Sequence, residues 1–525
     1  MRKRWGGQLG PALALAACMT ALFLAAALLS SLSVGGEIRA EDGDYVSVDF
    51  EVPEGTVEIH IATEYPEGGD VLDWGVWAPE GMRGWGGGLR DALIVGVDDS
   101  TRGYQVGPIT PGTWTLVIGK AAIESEFVTW SGSIEFYDAA TIVARPRRPT
   151  EPLVLEDAKR WYAGDFHVHS SESGDAPATL ADIYTRAREQ ALDFVVLSDH
   201  NTVSGHGLQA SAQADMGDLL LIRGNEVTTY GGHGNAMGVA TMIDHRIGFE
   251  GRSPDDILTE VKEAGGLFAI NHPNLGLLGN CIGCGWEHDV DWSMVNALEV
   301  HNGNYDVSIS IFTPGVIELW EERLSEGHRL AAIGGSDDHR AGIDLEPYQS
   351  PVGSPTTWVL ADSLSEADIL RGVEEGRTWL QLAGPSSPML ELTLEAPDGA
   401  LGTIGDTLRG HALEVTLVVS GAQGMKAMLY RDGVRVESIE IDGDMDARVS
   451  LTAEVPEEGA RFHVEISDGL PVAITSHFYG DHVPAEASGG GCQTAPDHDY
   501  LGLLLLLGYL WIFRRRSHLM ETLQR

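Results

Sequence analysis

Across residues 161–382 the chain repeats one pattern: a short apolar run, then a polar side chain able to bind a metal ion. Asp165-Phe166-His167-Val168-His169 is the first. Val195-Val196-Leu197 leads to Asp199-His200, Leu220-Leu221-Ile222 to Glu226, Phe268-Ala269-Ile270 to His272, and Ala332-Ile333-Gly334 to Asp337-Asp338-His339. His167 and His169 are two apart on an extended segment, so both imidazoles point to one face, where they can grip one ion. One strand ending in a histidine carries little information; five such endings in order constrain the fold. Apolar strands that alternate with helical stretches, such as 180–190 and 257–264, indicate a parallel sheet covered on both sides. The repeats suffice to close a barrel, in which chemistry collects at the C-terminal ends of the strands. All five endings then reach one rim. The result is a polynuclear site of imidazole and carboxylate, suited to zinc, manganese or iron.

A chain of 525 residues exceeds one core, so two to four domains are expected. The net charge of −44 repels phosphate backbones and favours divalent cations, so no nucleic acid partner is expected. From 41 to 138 short alternating segments, such as Tyr45-Val46-Ser47-Val48-Asp49-Phe50, are separated by Gly/Pro turns, which predicts a β-sandwich, jelly-roll-like in pattern. Within it the tryptophan-bearing stretch 73–85 reads as loop and strand edges, and His60 as a structural surface residue. Residues 144–152 (ARPRRPTEP) are a linker by composition. Alternation returns at 389–479, with a hairpin signal at Arg431-Asp432-Gly433, and predicts a second, immunoglobulin-like sandwich. The expected organisation is therefore multidomain, with apolar segments at both termini: 1–40 signal peptide or anchor, 41–143 sandwich, 144–160 linker, 161–385 barrel, 386–480 sandwich, 481–500 linker, 501–525 transmembrane segment and basic tail.

Arg2, Lys3 and Arg4 precede an apolar run at 9–34, as in a secretory signal or an uncleaved anchor. Ser31-Leu32-Ser33 and Ile38-Arg39-Ala40 are imperfect cleavage candidates. At the other end Cys492 is followed by a polar spacer, the apolar run 501–513 and Arg514-Arg515-Arg516, which places the arginines in the cytoplasm and the body outside it. The order of cysteine, short apolar helix and arginine cluster resembles the MYXO-CTERM sorting signals of myxobacteria-like organisms. That resemblance implies processing and anchoring at Cys492; a plain tail anchor is the alternative. For an exported body, a local Cys281–Cys284 disulfide is preferred over half a zinc site.

His167-x-His169, Ser198-Asp199-His200-Asn201, Gly224-Asn225-Glu226, Asn271-His272-Pro273 and Gly335-Ser336-Asp337-Asp338-His339 together resemble the PHP (polymerase and histidinol phosphatase) superfamily. His169-Ser-Ser-Glu-Ser-Gly-Asp175 and Gly232-His233-Gly-Asn235 resemble its CehA/McbA-like metallohydrolase branch. The resemblance implies a distorted (β/α)7 PHP barrel holding two or three divalent ions (Zn, Mn or Fe). It also implies a ligand set. His167 and His169 bind one ion with Glu226 and Asp337, and Glu226 bridges. His200 and His339 serve a second ion with Asp175, a position displaced by an inserted glycine. His233 and His272 serve a third, His233 from a flexible glycine-rich loop. Asp165 and Asp199 are expected to orient imidazoles, and Asp338 to stand behind the ligands. His301 and Arg340 are candidate substrate contacts, His301 equally a structural residue, and Arg223 a partner of Glu226.

The expected activity is hydrolysis by a metal-bound hydroxide on a phosphoester or a related ester or carbamate, in a small molecule or polymer, by an enzyme held at the cell surface and contacting the membrane through its terminal segments. No Gly-x-Ser-x-Gly elbow is evident. The alternative is a non-catalytic, metal-stabilised surface protein whose sandwiches bind polysaccharide or another surface partner.

Overall fold

Turns of Gly and Pro cut the first third of the chain into short strands whose side chains alternate between core and solvent. In the computed structural model, which describes residues 26–276, 282–347, 349–443 and 446–484, these strands form two antiparallel four-stranded sheets. Trp74, Trp114, Trp130, Ile59 and Phe136 from both sheets share one core. Two expectations are corrected here. The strand Leu28–Arg39 pairs with Phe127–Tyr137, so the latter part of the apolar run belongs to this domain rather than to a segment ending at residue 40. Both cleavage candidates fall within or at the end of that strand. The stretch 73–85 is not loop: it lies within the hairpin of strands Val71–Ala78 and Gly81–Gly86, whose Trp74 and Trp85 are buried. His60 is half-buried against Glu58 and Thr141.

The linker does more than connect. Arg145 and Arg147 both bind the buried Asp99 of the sandwich, Arg145 also binds Glu172, and Arg147 also binds the Ser204 carbonyl. The two arginines clip the first domain to the central one.

The central sheet contains β1 (Arg160–Val168), β2 (Phe194–Leu197), β3 (Leu220–Thr229), β4 (Gly232–Met237), β5 (Leu267–Ile270), β6 (Ala297–Asn302), β7 (Ala331–Gly335), β8 (Thr356–Ala361) and β9 (Thr378–Gln381). Its order is β7-β6-β5-β4-β3-β2-β1-β8-β9. Helices α1 (Leu180–Glu189), α2 (His206–Gln213), α3 (Pro254–Glu263), α4 (Tyr305–Ile311), α5 (Thr313–Ser325) and α6 (Glu366–Glu374) lie between the strands in sequence. Thr179 and Ser253 start α1 and α3 as capping boxes. The sheet curls so that the chain beyond the edge strand β7 meets the chain at the end of β1: the His169 N–H donates to the Asp338 carbonyl, and the Asp337 N–H to the His167 carbonyl.

The sheet is mixed, not purely parallel. β1, β2 and β3 run parallel, as do β5, β6 and β7, but β4 is antiparallel to both neighbours and β8 to β1. Only Tyr230 and Gly231 separate β3 from β4, and two residues can close a hairpin but not a parallel crossover. His233 thus stands on a strand rather than a flexible loop. Glu226 lies inside β3, not at its end. β2 pairs with β3 as far as Arg223, and the chain beyond β2 then rejoins β3 at Glu226, whose N–H donates to the Asp199 carbonyl and whose carbonyl accepts the Asn201 N–H. Arg223 pairs with Glu366, not with Glu226.

The last third also departs from a free-standing module. Its sheet of Met389–Glu395, Ala412–Ser420, Ala447–Glu454 and Leu401–Gly402 packs on strands that continue the central sheet: β9 pairs with Pro471–Thr475, which pairs with Ala460–Ser467. Two layers are present as expected, but one is covalently and hydrogen-bond continuous with the central domain. Among the described residues no helix is long and apolar enough to cross a membrane. Residues 1–25, the run 501–525 and Cys492 lie outside the described residues.

Candidate metal centre

Each strand delivers its ligand by its own local geometry. His167 is the penultimate residue of β1 and His169 follows its end; both are fully buried, with Nε2 atoms 3.1 Å apart. Around them stand Asp337 Oδ1, 3.3 Å from His167 Nε2 and 3.1 Å from His169 Nε2, and Glu226 Oε1, 3.2 Å from His167 Nε2. His272 Nε2 and His233 Nδ1 each lie 3.4 Å from the same Glu226 Oε1. On the other side His200 Nδ1 is 2.7 Å from Glu226 Oε2, and the rings of His169 and His339 stack at 3.9 Å. Asp175 closes the rim, half exposed, with its Oδ2 3.4 Å from His200 Nε2 and 3.3 Å from His339 Nε2. Glu226 is therefore the hub, and the residues divide into three overlapping groups around it.

The turns that present these side chains are strained. Asn201 (φ 48°), His272 (φ 28°) and Asp337 (φ 56°) all occupy the left-handed region. Asn201 is held there by a pair of hydrogen bonds to the backbone of Thr228. Gly335 allows β7 to approach β1: a Cβ there would run into the Cβ of His167 and Oε1 of Glu299.

Burial pushes the Glu226 carboxyl up, but His167, His200 and His233 outweigh it and hold it well below the usual carboxylate range. Burial pushes His169 down to about 3, with His339 and His200 adding to the effect, so this ring is a neutral lone-pair donor at neutral pH. The fit to a cation rests on one orphaned atom. Glu226 Oε2 is buried and, among the described residues, accepts no hydrogen bond, although His200 and His169 nitrogens stand 2.7 and 3.6 Å away. A buried anionic oxygen without a donor is costly unless a cation satisfies it. Imidazole and carboxylate donors at these spacings suit zinc, manganese or iron.

Behind the ligands the picture differs from expectation. Among the described residues neither Asp165 nor Asp199 is hydrogen-bonded to an imidazole. Asp165 accepts the N–H groups of His167, Ser336 and Gly353, and Asp199 accepts the N–H and the hydroxyl of Ser170, so they fix the strand ends rather than the rings. Burial pushes both to about 6. Asp338 accepts from Arg340 and Val352 backbone N–H groups. The carboxylate that orients a ring is Glu299, whose Oε1 lies 3.1 Å from His167 Nδ1 while Oε2 accepts the His272 N–H. Glu299 is not among the site residues expected from the sequence. Its signal was a carboxylate inside the apolar run Ala297-Leu298-Glu299-Val300, which needs a buried partner.

His301 is buried, with Nδ1 on the Thr313 hydroxyl; burial pushes it down to about 3. None of its described partners belongs to the ligand cluster. Arg340 is exposed beside His339, with Nη1 on the Asp344 carbonyl. Cys284 is disulfide-bonded, so its sulfur, though close to His233 and His272, is not a thiolate ligand. Cys281 lies outside the described residues.

No family model matches the chain. Over 119 residues it is 27% identical to an uncharacterised protein of Methanocaldococcus jannaschii, a segment making up 21% of this chain and 66% of the relative. The chain thus spans just under two thirds of that relative's length. Among solved structures it is similar to a two-domain protein from Bacteroides vulgatus described as containing a predicted PHP-like metal-dependent phosphoesterase. The identity is 19%, the TM-score 0.35, and the match covers 64% of this chain and 100% of that one. A CARDB domain from Pyrococcus furiosus is 14% identical at a TM-score of 0.14, covering 18% of this chain and 95% of that one. At these TM-scores neither likeness bears on fold or function.

Proposed function

We propose that this chain is a PHP-type metal-dependent hydrolase of the CehA/McbA-like branch, acting on a phosphoester or a related ester or carbamate. One observation carries the reading: His167, His169, His200, Glu226, His233, His272, Asp337 and His339, spread over more than 170 positions, converge on one mouth about the buried carboxylate of Glu226. His167, His169, Glu226 and Asp337 would hold one ion, His200, His339 and Asp175 a second, and His233 and His272 with Glu226 a third. Bound divalent ions supply an ionised water near neutral pH and neutralise charge on the departing oxygen. The chain's own residues do the rest. Glu226 ties the three groups together, Glu299 holds His167 in its ligating orientation, and Asp165 and Asp199 fix the strand ends from which the ligands project. Arg340, exposed beside His339, is placed to meet an anionic substrate.

The same reading puts the body outside the cytoplasm, anchored through Cys492 or the run 501–525. Its support is the basic N-terminus before an apolar run and the cysteine–apolar–arginine order at the other end. Purified protein loaded with Mn²⁺ or Zn²⁺ is expected to cleave an activated phosphodiester, phosphomonoester or aryl carbamate, and to lose the activity to chelator. Absence of turnover on all three, with bound metal verified, overturns the proposal.

A further inference from the structure

A second histidine–carboxylate cluster lies well away from the barrel mouth, where α5 packs against the last domain. Glu321 comes from α5, His463 from the strand Ala460–Ser467, and His477 from the link before the strand Phe478–His482. His463 and His477 are 1% and 3% exposed. His463 Nδ1 and His477 Nε2 lie 3.1 and 2.9 Å from the same oxygen, Glu321 Oε1, and 3.2 Å from each other.

Protons alone do not satisfy this triangle. If both nitrogens carry protons for Glu321, two N–H groups face each other across 3.2 Å. If one ring accepts from the other, its lone pair faces a carboxylate lone pair instead. Three lone pairs converging on one cation satisfy all three contacts. Tetrahedral ligands about 2.0–2.1 Å from zinc are spaced about 3.3–3.4 Å apart, so the observed triangle needs only a slight opening to hold it.

The surroundings match. Glu465 Oε1 faces the far nitrogen of His463, Nε2, at 3.6 Å, the position of a carboxylate that sets the tautomer and turns Nδ1 toward a metal. Arg461 takes the other oxygen of Glu321, Oε2, at 2.9 Å and leaves Oε1 for the cluster. Among the described residues the far nitrogen of His477, Nδ1, has no hydrogen-bond partner, so its ring is held only through the nitrogen that faces the cluster. Tyr430 stacks on His463 and Trp320 packs edge-on against His477, shielding the site from water.

We propose that Glu321, His463 and His477 form a separate transition-metal site of the zinc class, which pins the C-terminal domain to the outside of the barrel. It stands independently of the hydrolase reading. The test uses crystals of the zinc-loaded full chain and scattering measured on both sides of the zinc edge. An anomalous peak between His463 Nδ1, His477 Nε2 and Glu321 Oε1 is expected. Zinc at the barrel mouth with none at this triangle overturns the proposal, as does a crystal with zinc at neither place. In solution, His477→Ala is expected to bind one zinc per chain fewer than wild type while keeping its turnover. Unchanged stoichiometry in a folded His477→Ala protein assigns the cluster to charge pairing alone. Should that variant not fold, the anomalous map of the wild type decides.

Discussion

Glu299 Oε1 lies 3.1 Å from His167 Nδ1, and the other oxygen of the same carboxylate accepts the backbone N–H of His272. One side chain of β6 thus sets the ring orientation of a proposed ligand from β1 and the turn that presents another after β5. Orienting carboxylates of this kind commonly contribute about 10–100-fold to metal affinity. Glu299→Gln is expected to weaken metal binding by that factor while the chain stays folded, as read by metal titration against a competing chelator. Unaltered affinity would remove Glu299 from the centre.

At Gly335 β7 lies so near β1 that a side chain would collide with His167 and Glu299. Gly335→Ala forces apart His167 and Glu299, and overpacking of a dense core costs about 1–3 kcal/mol. We expect a lower denaturation midpoint together with loss of bound metal. A variant that keeps full metal content shows that the strands can separate without moving the ligands.

Asp337 separates catalysis from scaffolding. Its Oδ1 contacts both His167 and His169, yet the residue lies at the mouth rather than in the core. Asp337→Ala is expected to lower turnover by about a hundredfold or more, the size of effect seen when charge-stabilising groups are removed from a site. Its circular dichroism is expected to match wild type. Full activity in that variant excludes the ion group it belongs to from the reaction.

Asp73, which is not among the proposed ligands, provides a pH dependence of folding stability. It is buried between the first domain and the barrel, where its carboxylate accepts from Tyr230 Oη and Gly88 N–H, and burial pushes it to about 6. The unfolded carboxyl loses its proton near about 4. Between these values the folded state binds more protons than the unfolded one, so stability falls as pH rises, and the full penalty is present above about pH 7. Asp73→Asn keeps the polar contacts and removes the titration. Its advantage over wild type should be on the order of 2 kcal/mol at pH 8 and vanish below about pH 4, as followed by thermal midpoints. An advantage independent of pH would assign the effect to packing.

Much of the architecture was legible because periodicity reports local geometry. Alternation in Tyr45-Val46-Ser47-Val48-Asp49-Phe50 became a strand, and the helical stretch 180–190 became α1 with its capping box. The hairpin at Tyr230-Gly231 was also legible and was missed, because His233 was read as part of a glycine-rich loop. Trp74 and Trp85 were misplaced for a related reason: glycines around them mask the alternation of a hairpin whose tryptophans turn inward.

The order of residue types along the chain was enough to place histidines and carboxylates after successive apolar runs, since strand ends and side-chain faces follow from spacing of a few residues. Strand direction in the middle of the sheet, the continuity of the last domain with β9, and the meeting of Glu321 with His463 and His477 came only with tertiary packing. Those features depend on pairs more than a hundred positions apart, or on which edge a strand finds free. No local pattern encodes that choice; the burial of neighbouring surfaces makes it.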